Sequence, residues 1–158
     1  MRAALITIST SKAAGEGVDD SGLALATFAA GLGAEVAGSD LLADVQPEIE
    51  ARLRHWCDTE QVDLVLTSGG TGLSPTDVTP EATRAVIERE APGIAEAMRA
   101  ASRQHTPHWM LSRAVAGARG HTLIINFPGN PRSIRQTADA LAVAVPHALA
   151  LLAGGRHH

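Results

Sequence analysis

The sequence predicts an α/β fold with a mostly parallel sheet and helices on both of its faces. Four strand-like runs, at residues 3–10, 34–38, 62–67 and 122–127, alternate with segments of helical periodicity. This alternation is typical of βαβ units, whose crossover helices cover both faces of a parallel sheet. The 158 residues and 45% hydrophobic content fit one domain, residues 1–158, with a sizeable core.

The predicted helices are marked by proline at their starts and by apolar residues at helical spacing. The helix after Asp44 has Pro47 in its first turn, and four apolar residues share one of its faces: Ile49, Leu53, Trp56 and Cys57. The next helix has Thr79 as its N-cap and ends near Ala91, before Pro92.

Two further helices and one turn complete the predicted order. One helix runs from Pro92 to Arg103, and the last runs from Pro131 to Leu152 with a kink at Pro146. The segment "GARGH" predicts a turn between two extended pieces. His157 and His158 end the chain, and we interpret them as a frayed terminus or a tag remnant.

The composition argues against several classes of function. A net charge of −4 with two Trp, two Phe and no Tyr argues against nucleic-acid binding. No apolar run reaches the length of a membrane span, and Cys57 is the only cysteine, so we expect a soluble cytoplasmic protein without an internal disulfide. Of the thirteen basic residues, twelve are Arg, whose planar guanidinium suits phosphate and carboxylate. A small anionic ligand therefore remains possible.

A glycine-rich segment, "TSGGTGLSPTD", follows the third predicted strand. Gly69, Gly70 and Gly72 allow backbone conformations that bring amide N–H groups close to an anion. The segment is neither a Walker A loop nor a GxGxxG motif. It predicts either a phosphate-binding loop or a tight connection without a ligand.

Two aspartates accompany this segment at strand ends. Asp77 lies shortly after the glycines, and Asp44 lies at the end of the second strand-to-helix connection. Mg²⁺ prefers one or two carboxylates together with phosphate oxygens and water, so both residues are candidate metal ligands. The alternative is that each only caps a helix or stabilises a loop.

Three loops are predicted at the carboxyl ends of the strands, where ligands of open parallel sheets bind. They are "STSKAAGEGVDDSG" after the first strand, the glycine-rich segment, and "PGNP" after the run at residues 122–127. We expect them to meet and to line one pocket.

The order of several motifs resembles the MogA/MoaB family of molybdenum-cofactor biosynthesis proteins. The motifs are "TSGGTG", then "D-x-TPEA", "PGIAEAMR", "LSR" and "TLIINFPGNP", and the resemblance spans nearly the whole chain. It implies a three-layer α/β/α molybdopterin-binding fold and a homotrimer. It also implies transfer of AMP from Mg-ATP to the terminal phosphate of molybdopterin, with release of pyrophosphate.

The resemblance also assigns candidate site residues. Asp44 and Asp77 match the family's catalytic and metal-binding acidic positions. The positions that match its substrate-binding motifs are Asp20, Ser21, Thr67, Ser68, Gly69, Gly70, Thr71, Gly72, Pro92, Gly93, Glu96, Ser112, Arg113, Pro128, Gly129, Asn130 and Pro131. Many relatives have Arg immediately before the second aspartate, where this chain has Thr76. Arg99, Arg113 or Arg132 could then supply the missing positive charge.

Two other functions stay open at this point. One is a non-catalytic, MoaB-like protein that binds or carries the pterin. The other is a general nucleotide-binding regulatory domain, which would explain the glycine-rich segment but not "PGIAEAMR" or "PGNP".

Overall fold

The computed structural model describes residues 1–155, so His157 and His158 lie outside the described residues. It contains a six-stranded sheet in the order β2-β1-β3-β6-β5-β4. The strands are β1 (Arg2–Ile8), β2 (Glu35–Leu42), β3 (Leu64–Ser68), β4 (Arg89–Glu90), β5 (Ala116–Arg119) and β6 (Thr122–Phe127). Strands β2, β1, β3 and β6 are parallel, whereas β5 is antiparallel to both β6 and β4.

Helices cover both faces of this sheet. They are α1 (Thr10–Ala13), α2 (Asp20–Gly31), α3 (Gln46–Arg54), α4 (Thr79–Val86), α5 (Pro92–Ser102), α6 (Pro131–Leu141) and α7 (Ala144–Leu152). A π-helical turn, His55–Thr59, extends α3, and a 3-10 turn, Trp109–Leu111, follows α5. The predicted α/β fold with a mostly parallel sheet and helices on both faces is therefore confirmed.

The two cores lie on opposite faces of the same strands because successive side chains of a strand alternate in direction. Leu66 and Ile125 pack against α2, α5, α6 and α7 on one face. Val65 and Ile124 pack against α3, the π-helical turn and α4 on the other. The central strands β3 and β6 are fully buried as a result, which explains their continuous apolar sequence.

The prediction for the helix after Thr79 was wrong at both ends. Thr79 is the first helical residue rather than the N-cap, and its hydroxyl donates to the Gly69 carbonyl. The helix ends at Val86, and the next residues pair with β5 as the short strand β4. Two features favour this outcome. Ala91 precedes a proline, which disfavours helical backbone at that residue, and the carbonyl groups along the edge of β5 accept hydrogen bonds from the amides of Glu88 and Ala91.

The last predicted helix is two helices, and the break lies before Pro146 rather than at it. Helix α6 ends at Leu141 and α7 begins at Ala144, so Pro146 sits in the first turn of α7. A proline ring clashes with the carbonyl four residues earlier, here that of Ala142. The chain therefore leaves helical hydrogen bonding at residues 142–143.

Other boundaries are closer to expectation. Helix α5 ends one residue before the predicted Arg103, and β2 runs four residues past the predicted Gly38. The turn predicted at "GARGH" is confirmed as the connection between β5 and β6, with Gly120 at a φ of 55°. None of the helices within residues 1–155 combines the length and hydropathy needed to cross a bilayer.

Cys57 is buried in the π-helical turn that extends α3, and this burial raises the pKa of its thiol from 9.0 to about 11. The unfolded chain loses this proton near pH 9, whereas the folded chain keeps it until about pH 11. The stabilisation is present below pH 9 and is lost as the pH rises toward 11. We expect ionisation of this thiol in the unfolded chain to lower the free energy of unfolding by about 1 kcal/mol between pH 8 and pH 10. Urea unfolding of wild type and Cys57→Ala at both pH values measures this effect. If the free energy of unfolding changes equally with pH in the two proteins, the expectation is wrong.

Candidate functional site

The strand order creates a crevice between two loops at the carboxyl end of the sheet. The chain leaves β1 toward α2 on one face and leaves the neighbouring β3 toward α4 on the other. Ligands of open parallel sheets bind where adjacent strands diverge in this way. The glycine-rich segment begins at this divergence.

Gly69 is enclosed between the ends of two other strands. Its φ is 98°, and a Cβ atom there would lie 2.1 Å from the Ile8 carbonyl oxygen at the end of β1. Its amide donates to the Phe127 carbonyl at the end of β6, at 3.1 Å. Only glycine can take this backbone conformation at such a close approach.

The carbonyl groups of residues 69–72 all accept hydrogen bonds from the protein. Thr79 donates to the first two, through its hydroxyl to Gly69 and through its amide to Gly70. Arg113 donates to the next two, through its amide to Thr71 and through Nε to Gly72. The segment is therefore held through its oxygens.

The N–H groups of residues 70–73 have no such partners. None of these four amides donates a hydrogen bond to any residue within the described part of the chain. Four consecutive unpaired donors form a concentration of positive partial charge, as in the backbone nests that bind anions. Helices α2, α4 and α6 begin in the adjoining loops, and the partial positive charge at their N-termini adds to this potential.

Asp44 contacts this segment from the loop after β2. The amide and hydroxyl of Thr10 donate to its Oδ2, at 3.2 and 2.8 Å. Its Oδ1 accepts no hydrogen bond within residues 1–155, and it lies 3.1 Å from the position that a Cβ atom of Gly70 would occupy. Thr10 thus orients the carboxylate and leaves one oxygen available.

Asp77 contacts the same segment from its other end. Its Oδ2 accepts from the Ser74 amide at 3.1 Å and lies 2.8 Å from the position that a Cβ atom of Gly72 would occupy. Its Oδ1 has no hydrogen-bond partner in the described chain. Because residues 70 and 72 are two positions apart, their Cα atoms lie at most about 7 Å from each other. Both carboxylates therefore flank one short stretch of backbone.

The three loops meet, as the sequence predicted, and that they line one pocket stays a prediction. The Ser21 hydroxyl at the start of α2 donates to the Gly129 carbonyl at 3.2 Å. A Cβ atom on Gly129 would lie 3.3 Å from the Gly69 Cα. Asn130 caps α6 by accepting from the Ser133 amide, which fixes the direction of the third loop. Pro128 and Pro131 lie on either side of Gly129 and Asn130 in this loop.

Three other predicted residues lie at the ends of the elements that border the site: Thr67 and Ser68 at the end of β3, and Asp20 at the start of α2. Thr67 is fully buried and accepts from the Asn126 side chain, and Ser68 is buried with no hydrogen-bond partner for its hydroxyl within residues 1–155. Asp20 is exposed in the first turn of α2, whereas Asp19 caps that helix and accepts from the Thr7 hydroxyl.

Four predicted residues, Pro92, Gly93, Glu96 and Ser112, make no hydrogen bond or ion pair with the glycine-rich segment within residues 1–155. Pro92, Gly93 and Glu96 are exposed in the first half of α5. Ser112 is half-buried, and its carbonyl accepts from Arg99. Substrate contacts for these residues stay a prediction.

Sequence reasoning missed three residues that hold the site: Thr10, Thr79 as an anchor of the glycines, and Asn126. The Asn126 amide group donates to the Thr67 and Thr83 hydroxyls, and its Oδ1 accepts from the Val115 amide. A buried asparagine inside the apolar run "TLIINF" was the signal, because such a residue needs several partners.

The donor set fits Mg²⁺ without forming a closed metal cage. No group of three His, Cys, Asp or Glu side chains suited to a metal occurs in the described chain. Asp44 and Asp77 each present one oxygen without a hydrogen-bond partner among residues 1–155. Mg²⁺ is usually held by one or two carboxylates together with water and substrate phosphates, which is the set that two aspartates beside free amides would provide.

Comparisons with known proteins agree with this architecture. A molybdopterin adenylyltransferase from Helicobacter pylori strain J99 is 44% identical over 115 residues, which cover 73% of this chain and 65% of that protein. The chain thus matches slightly less than two thirds of that relative's length. The crystal structure of the molybdopterin biosynthesis enzyme MoaB from Thermus thermophilus is 47% identical, with a TM-score of 0.91 over 97% of this chain and 96% of that one.

A second solved structure gives the same result. The molybdopterin biosynthesis Mog protein from Mycobacterium ulcerans is 41% identical, with a TM-score of 0.89 over 96% of this chain and 98% of that one. Residues 4–147 match the family described as a probable molybdopterin binding domain. The chain belongs to the probable molybdopterin binding domain family.

Proposed function

We propose that this protein is a molybdopterin adenylyltransferase, which transfers AMP from Mg-ATP to the terminal phosphate of molybdopterin and releases pyrophosphate. One observation carries the proposal: the segment with four unpaired amides, residues 70–73, is approached by the Asp44 carboxylate at Gly70 and by the Asp77 carboxylate at Gly72. The adenylyltransferase name of the Helicobacter pylori relative supports it.

The reaction suits a site without a catalytic base. A phosphate oxygen of molybdopterin forms a bond to the α-phosphorus of ATP, and the bond from that phosphorus to the bridging oxygen breaks as pyrophosphate leaves. The attacking oxygen is already anionic at neutral pH, so no Ser-His pair is needed. What limits such a step is alignment of the two phosphates and neutralisation of their charge.

The chain's own groups divide these tasks. The amides of residues 70–73 would hold phosphate oxygens through fixed dipoles, which need no reorganisation during the reaction. Asp44 and Asp77 would hold Mg²⁺, and the bound ion supplies positive charge to the phosphates. Thr10 keeps Asp44 oriented, while Arg113 and Thr79 keep the amides in place.

Positive charge is available despite Thr76. The Thr76 hydroxyl contacts that of Ser74 at 3.0 Å, so it stabilises its own turn. Of the three arginines considered above, Arg99 donates to the Ser112 and Ala114 carbonyls, and Arg113 is bound to the glycine-rich segment. Arg132 is exposed at the start of α6 and has no hydrogen-bond or ion-pair partner within residues 1–155. It is the arginine of these three that is free to contact a phosphate.

A direct assay separates this function from its rivals. We expect purified protein incubated with molybdopterin and Mg-ATP to release one pyrophosphate for each adenylylated molybdopterin formed. Binding of the pterin without pyrophosphate release would favour the non-catalytic carrier. Nucleotide binding that is indifferent to the pterin would favour the regulatory domain, and either result would contradict the enzyme.

The remaining parts of the proposal concern assembly and location. We propose that the 158 residues act as one domain, assemble as a homotrimer and work in the cytoplasm. Light scattering on the purified protein tests the trimer, and a mass other than three times 16.4 kDa would contradict it.

A further inference from the structure

The guanidinium group of Arg113 is occupied by contacts with the protein itself. Nε donates to the Gly72 carbonyl at 2.7 Å, Nη2 donates to the Asp77 carbonyl at 2.9 Å, and Nη1 pairs with the Glu81 carboxylate. Each of its three nitrogens therefore already serves an acceptor within the chain. This contrasts with the substrate contact that the family resemblance implies for Arg113.

These contacts join both ends of one turn. Gly72 precedes the turn and Asp77 closes it, and between them the Asp77 amide donates to the Ser74 carbonyl at 2.9 Å. The backbone amide of Arg113 also donates to the Thr71 carbonyl at 2.8 Å. One residue thus fixes the peptide groups on either side of the turn that carries the Asp77 carboxylate.

The Glu81 carboxylate also holds the Arg113 guanidinium in position. It lies in the first turn of α4, and Arg113 lowers the pKa of its carboxyl group through their hydrogen bond. A second arginine, Arg84, lines the same 470 Å³ cleft but pairs with Glu90, and within residues 1–155 it makes no hydrogen bond or ion pair with residues 69–77. Arg84 is therefore a second arginine of the same cleft, with a more exposed side chain (60% against 32% for Arg113) and no bond to the turn, and it serves as the control.

We propose that Arg113 is a positioning residue that acts through Asp77, and that it does not bind the substrate. The proposal rests on the adenylyl transfer proposed above, in which Asp77 holds Mg²⁺. Only a planar fork reaches two carbonyls and a carboxylate at once, whereas a lysine ammonium offers the same charge from a single point. Charge alone should therefore not replace Arg113.

The experiment compares Arg113→Lys, Arg113→Gln and the control Arg84→Gln with the wild type. We expect both Arg113 variants to lower kcat by about 10- to 100-fold with little change in the KM for ATP, because a small displacement of a reacting group has that effect. Hydrogen exchange at the amides of Ser74 and Asp77 should accelerate at least about tenfold in both variants, because the turn opens more often without the Arg113 contacts. Arg84→Gln should stay within about twofold of the wild type, as exposed substitutions usually do.

A weaker variant keeps the test available if Arg113 variants fail to fold. Glu81→Gln leaves the two carbonyl contacts and removes only the ion pair, so we expect a loss of kcat of about two- to five-fold, the value of an exposed pair. If the Arg113 variants do not fold, a Glu81→Gln protein with wild-type kcat and wild-type hydrogen exchange at Ser74 and Asp77 would overturn the positioning role.

Three outcomes decide between the hypotheses. A raised KM with unchanged exchange would show a direct substrate contact, and normal kcat in Arg113→Lys would show that charge suffices; both overturn the proposal. If the wild type itself transfers no AMP, the proposed function fails. The exchange measurement still tests whether Arg113 holds the Asp77 turn, so the two failures are distinguishable.

Discussion

Replacing Asp77 with asparagine should lower adenylyl transfer by about 100-fold or more and leave the protein folded. An asparagine oxygen can still accept from the Ser74 amide, which Asp77 Oδ2 does at 3.1 Å, so the turn should survive. The substitution removes the negative charge that would hold Mg²⁺ beside the phosphates. Pyrophosphate release at saturating Mg-ATP, with circular dichroism as the check on folding, measures both effects.

A second aspartate provides the control. The Asp63 carboxylate accepts a hydrogen bond from the Arg2 amide at the amino-terminal ends of β1 and β3, so Asp63→Asn makes the same chemical change away from the loops. We expect its activity to match the wild type, and we expect Asp44→Asn to behave like Asp77→Asn. A folded Asp77→Ala protein with normal turnover would reject the assignment of Asp77.

Replacing Gly69 with alanine should destabilise the protein by about 2–5 kcal/mol, the sum of two costs. A left-handed backbone costs a non-glycine residue about 1–2 kcal/mol. In addition, the new methyl group would lie 2.1 Å from the Ile8 carbonyl, and forcing such a contact in a packed site typically costs a further 1–3 kcal/mol or so. The free energy of unfolding from urea titration measures the sum.

Two other glycines separate the contributions. Gly17 has a φ of 83° and nothing within 4 Å of the position that a Cβ atom would occupy, so Gly17→Ala should show the backbone cost alone, about 1–2 kcal/mol. Gly93 is helical with open space around it, so Gly93→Ala should stabilise the protein by about 0.4–1 kcal/mol. Equal costs at Gly17 and Gly69 would mean that crowding against β1 contributes nothing.

The central part of the fold could be predicted because its signals are local. Buried parallel strands have continuous apolar runs, and their carboxyl ends lie on the same side of the sheet. These two facts were enough to predict that the loops of Asp44, Gly69 and Gly129 lie close together, as they do in the structure. The edge strand β4 could not be predicted, since its two residues are exposed and become extended only by pairing with β5. That pairing depends on Gly117 and Ala118, which lie far along the chain, and not on periodicity.

Side-chain partners in the site were less accessible to sequence reasoning. A motif can identify Arg113, but it cannot show that the guanidinium turns toward Gly72 and Asp77 instead of the solvent. Likewise, Thr79 was a plausible N-cap, and only the folded loop shows that its hydroxyl serves Gly69. Each of these bonds spans elements that are distant in sequence, so local spacing carries no information about it.

The unpaired backbone donors after Gly69 have a consequence for regulation by acidity. A peptide N–H group does not titrate in the physiological range, unlike the imidazole of histidine. The contact between these amides and a phosphate should therefore be equally strong in mildly acidic and mildly alkaline solution, and a pH response of that contact would arise from the ionisation of the phosphate.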